Sequence, residues 1–136
     1  MNNEKFLAEF ETILERAVLV SEKARREGLF AIEDFLDNTK IANRDIFEYG
    51  LQFVVDGYDS EIIEKILSNL IKQEKDETAI LFKAIQKEAV LSIQAGENTR
   101  VLVYKLNSYT NIPLDDPLMK KIFEDLKVFE GKDEIC

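Results

Sequence analysis

Apolar residues recur at intervals of three or four positions in one segment of the chain after another. The first series runs from about Glu4 to Glu27, and similar series follow Asp59 and Pro117. The first series consists of Phe6, Phe10, Ile13, Ala17, Val20 and Ala24. This interval places apolar side chains on one face of an α-helix, and that face must be buried. The sequence therefore predicts an all-α fold, an antiparallel helical bundle or hairpin of about five to six helices.

Glycines and short polar residues mark where these helices are expected to begin and end. Gly28 predicts a break or bend after the first helix, and a short second helix is expected over residues 29–36. Gly57 fits the C-terminal cap of a third helix. Gly50, inside that helix, is the point at which a neighbouring helix would approach most closely. Asp116 is expected to cap the last helix.

Two segments leave their structure open. Residues 61–95 contain no Gly or Pro, so they are compatible with one helix or with two helices in line. In either case the polar interval 73–77 would be exposed and the segment would project, so we expect a bundle with one long projecting helix. Residues 100–106 combine strand-like composition with a spacing that also fits a helix. We favour a helix there, because a single strand would have no partner elsewhere in the chain.

Composition limits the domain organisation and the classes of function. The chain has 27 acidic and 18 basic residues and a net charge of −9, which opposes binding to nucleic acid or anionic lipid. Residues 1–130 are expected to form a single domain, followed by a flexible tail at 131–136. No apolar run approaches the roughly 20 residues that a membrane helix needs. The start of the sequence lacks the features of a secretory signal, so we expect a cytoplasmic protein with no direct membrane insertion.

Few residues of the kinds that enzymes use are available. The chain has no histidine, its one cysteine is Cys136, and no glycine-rich phosphate loop occurs. Acidic pairs such as Asp115-Asp116 are more typical of caps and turns than of metal sites. A carboxylate pair for acid–base chemistry remains open, although nothing in the sequence selects one. We expect no catalytic residues, no cofactor, no metal and no enzyme activity.

Two glycine-marked motifs lie in the first half of the chain. The first is A-R-R-E-G-L-F-A-I-E, from Ala24 to Glu33, and the second is G-L-Q-F-V-V-D-G, from Gly50 to Gly57. In order and separation they resemble the cytoplasmic loop of MotA, the proton-channel subunit of the bacterial flagellar stator, in the MotA/TolQ/ExbB family. The resemblance covers roughly residues 20–75. The residues that it marks as the structural motif are Gly28, Gly50, Asp56 and Gly57.

The chain departs from that family where membrane helices would lie. Glu97, Arg100 and Lys105 fall in the segment that corresponds to the third membrane helix, and placing charges in lipid is costly. Nothing corresponds to the fourth span, and the segment before the first motif reads as a polar amphipathic helix. We therefore expect a soluble protein that resembles the loop of MotA but lacks the membrane helices and the channel.

The resemblance implies a binding surface at the first motif. In MotA, residues at the positions of Arg25 and Glu33 are implicated in contacts with charged residues of the rotor protein FliG, and Arg26 lies beside them. Spacing alone instead favours two solvated arginines that pair with Glu22 or Asp34. The resemblance makes Arg25, Arg26 and Glu33 candidate partner-binding residues.

The function that follows is an accessory role in flagellar motility at the cytoplasmic face of the inner membrane. We expect the protein to bind stator subunits, as an assembly or stability factor of chaperone type, or to bind FliG. Stator subunits are favoured, because the segment Gly50–Gly57 and the helix after it could pair with a full-length relative. The alternative is a self-assembling structural scaffold of the motor, and a homo-oligomer is compatible with both.

Overall fold

Six α-helices and one 3₁₀ helix make up the described part of the chain. The computed structural model describes residues 3–37 and 43–135. The elements in chain order are α1 (Asn3–Glu27), the 3₁₀ helix (Leu29–Phe35), α2 (Ile46–Val55), α3 (Ser60–Lys72), α4 (Glu77–Gln94), α5 (Thr99–Asn107) and α6 (Pro117–Ile135). No strand occurs over these residues, and α5 occupies the segment for which helix and strand were both open. The predicted all-α fold is confirmed.

The helix α4 lies at the centre of the fold. It packs against α1, α2, α3 and α5, while α1 also contacts the 3₁₀ helix, α5 and α6. Ile85, Ala89 and Val90 of α4 are completely buried. Every other element contributes large buried side chains to the same core, namely Phe10, Leu14, Ile32, Leu51, Ile63, Leu67, Leu102, Leu106, Met119 and Leu126. The apolar faces read from the sequence are therefore the faces that the helices bury.

The prediction of one long projecting helix at 61–95 is wrong. The helix α3 ends at Lys72, α4 begins at Glu77, and the two helices pack side by side. Asp76 caps α4, because its side chain accepts a hydrogen bond from the backbone N–H of Ala79 at 2.9 Å. Folding back buries the apolar faces of both helices, which a projecting helix would leave in water.

Glu74 stabilises the turn between these two helices. Its carboxylate accepts a hydrogen bond from Lys83 Nζ at 2.9 Å and from the backbone N–H groups of Asp76 and Lys75 at 3.1 and 3.0 Å. These bonds, the one from Lys83 foremost, lower the pKa of Glu74 to about 2. The turn therefore depends on the ionised form of this side chain.

Gly50 allows α2 to lie unusually close to α4. A Cβ atom at position 50 would stand 2.6 Å from Cγ2 and 2.8 Å from Cγ1 of Val90, well inside van der Waals contact. Phe47, Leu51 and Val54 of α2 are buried around this contact. The contact lies where the sequence predicts the closest approach of a neighbouring helix.

The second motif ends in a Schellman turn. Asp56 is the C-terminal cap of α2, and Gly57 follows with a φ of 86°. The N–H of Gly57 donates to the carbonyl of Val54, and the N–H of Tyr58 donates to the carbonyl of Phe53, both at 3.1 Å. The rings of Phe53 and Tyr58 pack with their centroids 5.9 Å apart. The positive φ explains why a glycine stands at the end of this motif.

The last helix is longer than the sequence predicts. Asp116 caps α6, since its Oδ1 accepts a hydrogen bond from the N–H of Leu118 at 2.9 Å. Residues 131–135, predicted as part of a flexible tail, continue this helix to Ile135. Cys136 lies outside the described residues.

The substitution Gly50→Ala tests the contact between α2 and α4. In an exposed helix, replacing Gly by Ala would stabilise the protein by about 1 kcal/mol. At Gly50 we expect a loss of about 1–3 kcal/mol in the free energy of unfolding, because the new methyl group overlaps Val90. Urea-induced unfolding measures this loss. A combined Gly50→Ala and Val90→Ala variant should lose less than the sum of the two single losses. A Gly50→Ala protein more stable than the wild type would contradict the contact.

The substitution Glu74→Gln tests the turn between α3 and α4 through its pH dependence. The pKa of Glu74 is depressed to about 2, so its stabilising contribution is fully present above the unfolded-state pKa of about 4.3 and is lost as the pH falls. The difference in Tm between wild type and variant should be largest near neutral pH and should shrink between about pH 5 and pH 2. Circular dichroism melts measure it, with Glu124→Gln on α6 as the control. A difference independent of pH would show that the carboxylate does not stabilise the turn.

Candidate partner-binding surface

Gly28 ends α1 and turns the chain into the 3₁₀ helix. Its φ of 90° lies in the left-handed region, and a Cβ there would meet no atom within 4 Å, so backbone conformation rather than space favours glycine. Its N–H donates to the carbonyl of Ala24 at 2.9 Å, and its own carbonyl accepts from the N–H of Ala31 at 3.1 Å. The predicted break after the first helix therefore occurs at Gly28, and it sets the direction of the following segment.

The 3₁₀ helix has an inner and an outer side. Residues three apart are eclipsed in such a helix, so Leu29, Ile32 and Phe35 share one side. Ile32 is completely buried there, while Leu29 and Phe35 are partly exposed. Phe30 and Glu33 share the other side, where 77% of Phe30 is accessible to solvent and Glu33 is also exposed. The segment therefore presents one aromatic ring and one carboxylate together.

Lys23 fastens this short helix to α1. Its Nζ lies 3.1 Å from Asp34 Oδ2 and 3.4 Å from Glu27 Oε2. The hydrogen bond to Asp34, and after it the bond to Glu27, raises the pKa of Lys23. Asp34 is thus paired with Lys23, rather than with either arginine of the motif.

Arg25 connects the end of α1 to the turn between α4 and α5. Its Nη1 donates to the carbonyl of Gly96 at 3.2 Å. Gly96 has a φ of 71° and its N–H donates to the carbonyl of Ile93 at 3.1 Å, as in the C-terminal cap of α2. Arg25 therefore braces a neighbouring turn from an exposed position.

Arg26 contacts α6. Its Nη2 donates to the carbonyl of Phe129 at 2.9 Å, and its guanidinium lies 6.0 Å from the centroid of the Phe129 ring. The same nitrogen stands 3.7 Å from Glu22 Oε1, the pairing that spacing alone indicates. Both arginines are thus engaged within the chain. Glu33, in contrast, makes no side-chain hydrogen bond or ion pair with the described residues.

A buried polar network lies beneath this surface, and sequence reasoning missed it. Glu22 is only 8% exposed. Its Oε2 accepts a hydrogen bond from Thr99 Oγ1 at 2.5 Å, and the hydroxyl of Ser21 lies 2.7 Å from the same Thr99 oxygen. Thr99 is the first residue of α5 and is separated from Glu22 by 77 positions. No local sequence pattern could therefore predict the contact. The network joins the end of α1 to the start of α5.

Other kinds of site find little support in the described ranges. In them, no three His, Cys, Asp or Glu side chains are grouped so that they could hold a metal ion. Of the helices described, none is both long enough and apolar enough to cross a bilayer. The fold and surface define an all-α domain that presents an aromatic ring and a carboxylate on a short, braced helix.

One comparison with known proteins finds a similar sequence. Over 56 residues, the chain is 41% identical to Motility protein A from Borreliella burgdorferi. The match covers 41% of this chain and 20% of that protein, so the chain spans about a fifth of the length of its relative. No family model matches the chain, and no solved structure matches it. The similarity supports a MotA-like relationship for part of the chain.

The substitution Thr99→Val tests the buried network. Valine keeps the shape of threonine but leaves Glu22 and Ser21 without their shared hydroxyl, which should lower the free energy of unfolding by about 1–3 kcal/mol. Urea-induced unfolding measures the loss. Thr12→Val is the matched control, because Thr12 lies on an exposed part of α1. Equal stabilities of the two variants would show that the network contributes nothing.

Proposed function

We propose that this chain is a non-enzymatic protein of flagellar motility that acts by binding a component of the flagellar motor. The similarity to Motility protein A supports the motility role. The binding role rests on one observation: the first motif forms an exposed surface on which Phe30 and Glu33 stand side by side. We call the exposed side of the 3₁₀ helix, residues 29–35, the 3₁₀ surface.

The second motif is used inside the fold. Phe47, Leu51 and Val54 of α2 are buried, and Gly50 is in contact with Val90. To pair with a stator subunit through this segment, the chain would have to open its own core. The reason to favour stator subunits over the rotor is thereby removed. The 3₁₀ surface remains, and the resemblance implies contact with FliG for that surface. We therefore favour FliG as the partner, with stator subunits second.

Five acidic side chains are paired with basic side chains and are unsuited to act as general acids. A general acid that works near neutral pH needs a raised pKa. Lys87 holds the pKa of Glu64 below its usual range, and Lys105 does the same for Glu97. The carboxyl groups with a lowered pKa are Glu11, Glu64, Glu74, Glu97 and Glu130, and for each the largest cause is a hydrogen bond from a Lys or Arg side chain. Such groups stabilise a structure rather than donate protons, and the proposal includes no cofactor or metal.

Binding to purified motor proteins tests the proposal. We expect the chain to bind FliG, and we expect Glu33→Lys to weaken that binding about tenfold or more, because it reverses an exposed charge at the contact. Glu124→Lys is the matched control, since it makes the same change on α6, where the Glu124 side chain is 70% exposed. Biolayer interferometry with immobilised FliG gives both dissociation constants.

The same measurement with detergent-solubilised stator complex tests binding to the second candidate partner. Binding to the stator but not to FliG would reverse our order of the two candidates. If neither protein binds the wild-type chain, the proposed function is wrong.

A further inference from the structure

We infer that Phe30 is the anchor of the 3₁₀ surface, and that the partner is a protein with an apolar pocket bordered by basic residues. The inference rests on the proposed function, because it specifies the chemistry of the partner at that same surface. Three observations carry it: the exposure of Phe30, the rigidity of its backbone and the charge around it.

Phe30 is the most exposed large apolar side chain in the described part of the chain. It is 77% accessible, while the others in this class lie between 38% and 60%. Aromatic side chains, Phe among them, are enriched at the buried centre of interfaces, and a few such anchors in pockets of the partner carry most of the binding energy. Leu29 and Phe35 are also partly exposed, but on the inner side of the same helix.

The backbone that carries Phe30 is held in place before any partner arrives. Ile32 is completely buried beneath it. Asp34, on the third side of the helix, lies 3.1 Å from Lys23 of α1. The carbonyl of Gly28 accepts a hydrogen bond from Ala31 at 3.1 Å. A side chain on such a support loses little backbone freedom on binding, which favours affinity.

The charge around Phe30 selects the partner. Residues 27–37 contain four acidic side chains and no Lys or Arg. Lys23 pairs with two of them, Asp34 and Glu27, so the exposed carboxylate of Glu33 carries the charge beside the ring. Glu33 lies one 3₁₀ turn from Phe30, so its carboxylate stands at the edge of any pocket that receives the ring. A basic border on the partner would complement this charge. A second copy of the chain, with its net charge of −9, nucleic acid and anionic lipid would all be repelled.

Two variants of Phe30 measure its contribution to binding. Phe30→Ala should weaken binding to immobilised FliG about 30-fold or more, whereas Phe30→Leu, which keeps an apolar side chain, should recover part of the affinity. Leu114→Ala is the matched control, since Leu114 is 50% exposed in the connection between α5 and α6. Both Phe30 variants should unfold at the wild-type temperature, because the ring is exposed. Binding of the wild type should weaken as salt is raised.

Cross-linking in living cells identifies the chemistry of the partner. A photoreactive phenylalanine analogue replaces Phe30 in one strain and Leu114 in a control strain, and the cross-linked peptide is mapped by mass spectrometry. We expect a product at position 30 alone, on a partner segment with apolar residues flanked by Lys or Arg. No product above that at position 114, or a product on an acidic segment, would overturn the inference.

The two proposals fail in different ways. If FliG binds the wild type and Phe30→Ala equally well, the proposed function stands and the anchor is wrong. If Phe30 cross-links to a basic, apolar pocket on a protein outside the motor, the anchor stands and the proposed function is wrong.

Discussion

The close contact between Gly50 and Val90 is the constraint on which the rest of the structure depends. It brings α2 against α4, the helix at the centre of the core, at a distance that a Cβ atom would not allow. The apolar face of α2 is therefore buried inside the protein, where Phe47 and Leu51 lie. The second motif is therefore buried against α4, whereas the first motif lies at the surface. We propose binding through the first motif for this reason.

The residues of the first motif divide into those that brace the surface and those that are presented on it. Arg25 bonds to the turn between α4 and α5, and Arg26 bonds to the backbone of α6. Beneath them, Glu22 joins α1 to α5 through Thr99. Phe30 and Glu33 stand on the outer side of the 3₁₀ helix. The two motif arginines thus fix the end of α1, and Lys23 ties the 3₁₀ helix to α1 through Asp34, so a partner would find the 3₁₀ surface already formed.

Local sequence features were enough to predict the helices and the turns that end them. The helices followed from apolar spacing, and the turns at Gly28 and Gly57 followed from the freedom of glycine at positive φ. The polar interval 73–77 led to the wrong prediction of a projecting helix, although Asp76 within it is a typical cap for a new helix. The contact of Arg26 with Phe129 joins residues 103 positions apart, and such contacts depend on how the helices pack. The exposure of Phe30 was not predicted either, because an aromatic residue at helical spacing is usually buried.

The motility of cells that lack this chain tests the central claim most directly, namely that the 3₁₀ surface acts in flagellar motility. Deletion strains would be complemented with the wild-type chain or with a double variant carrying Phe30→Ala and Glu33→Lys, and the swimming speed of single cells would be tracked at matched protein levels. The account predicts that the wild-type chain restores swimming and that the double variant does not. A double variant that restores full speed, or a deletion strain that swims like its parent, would contradict it.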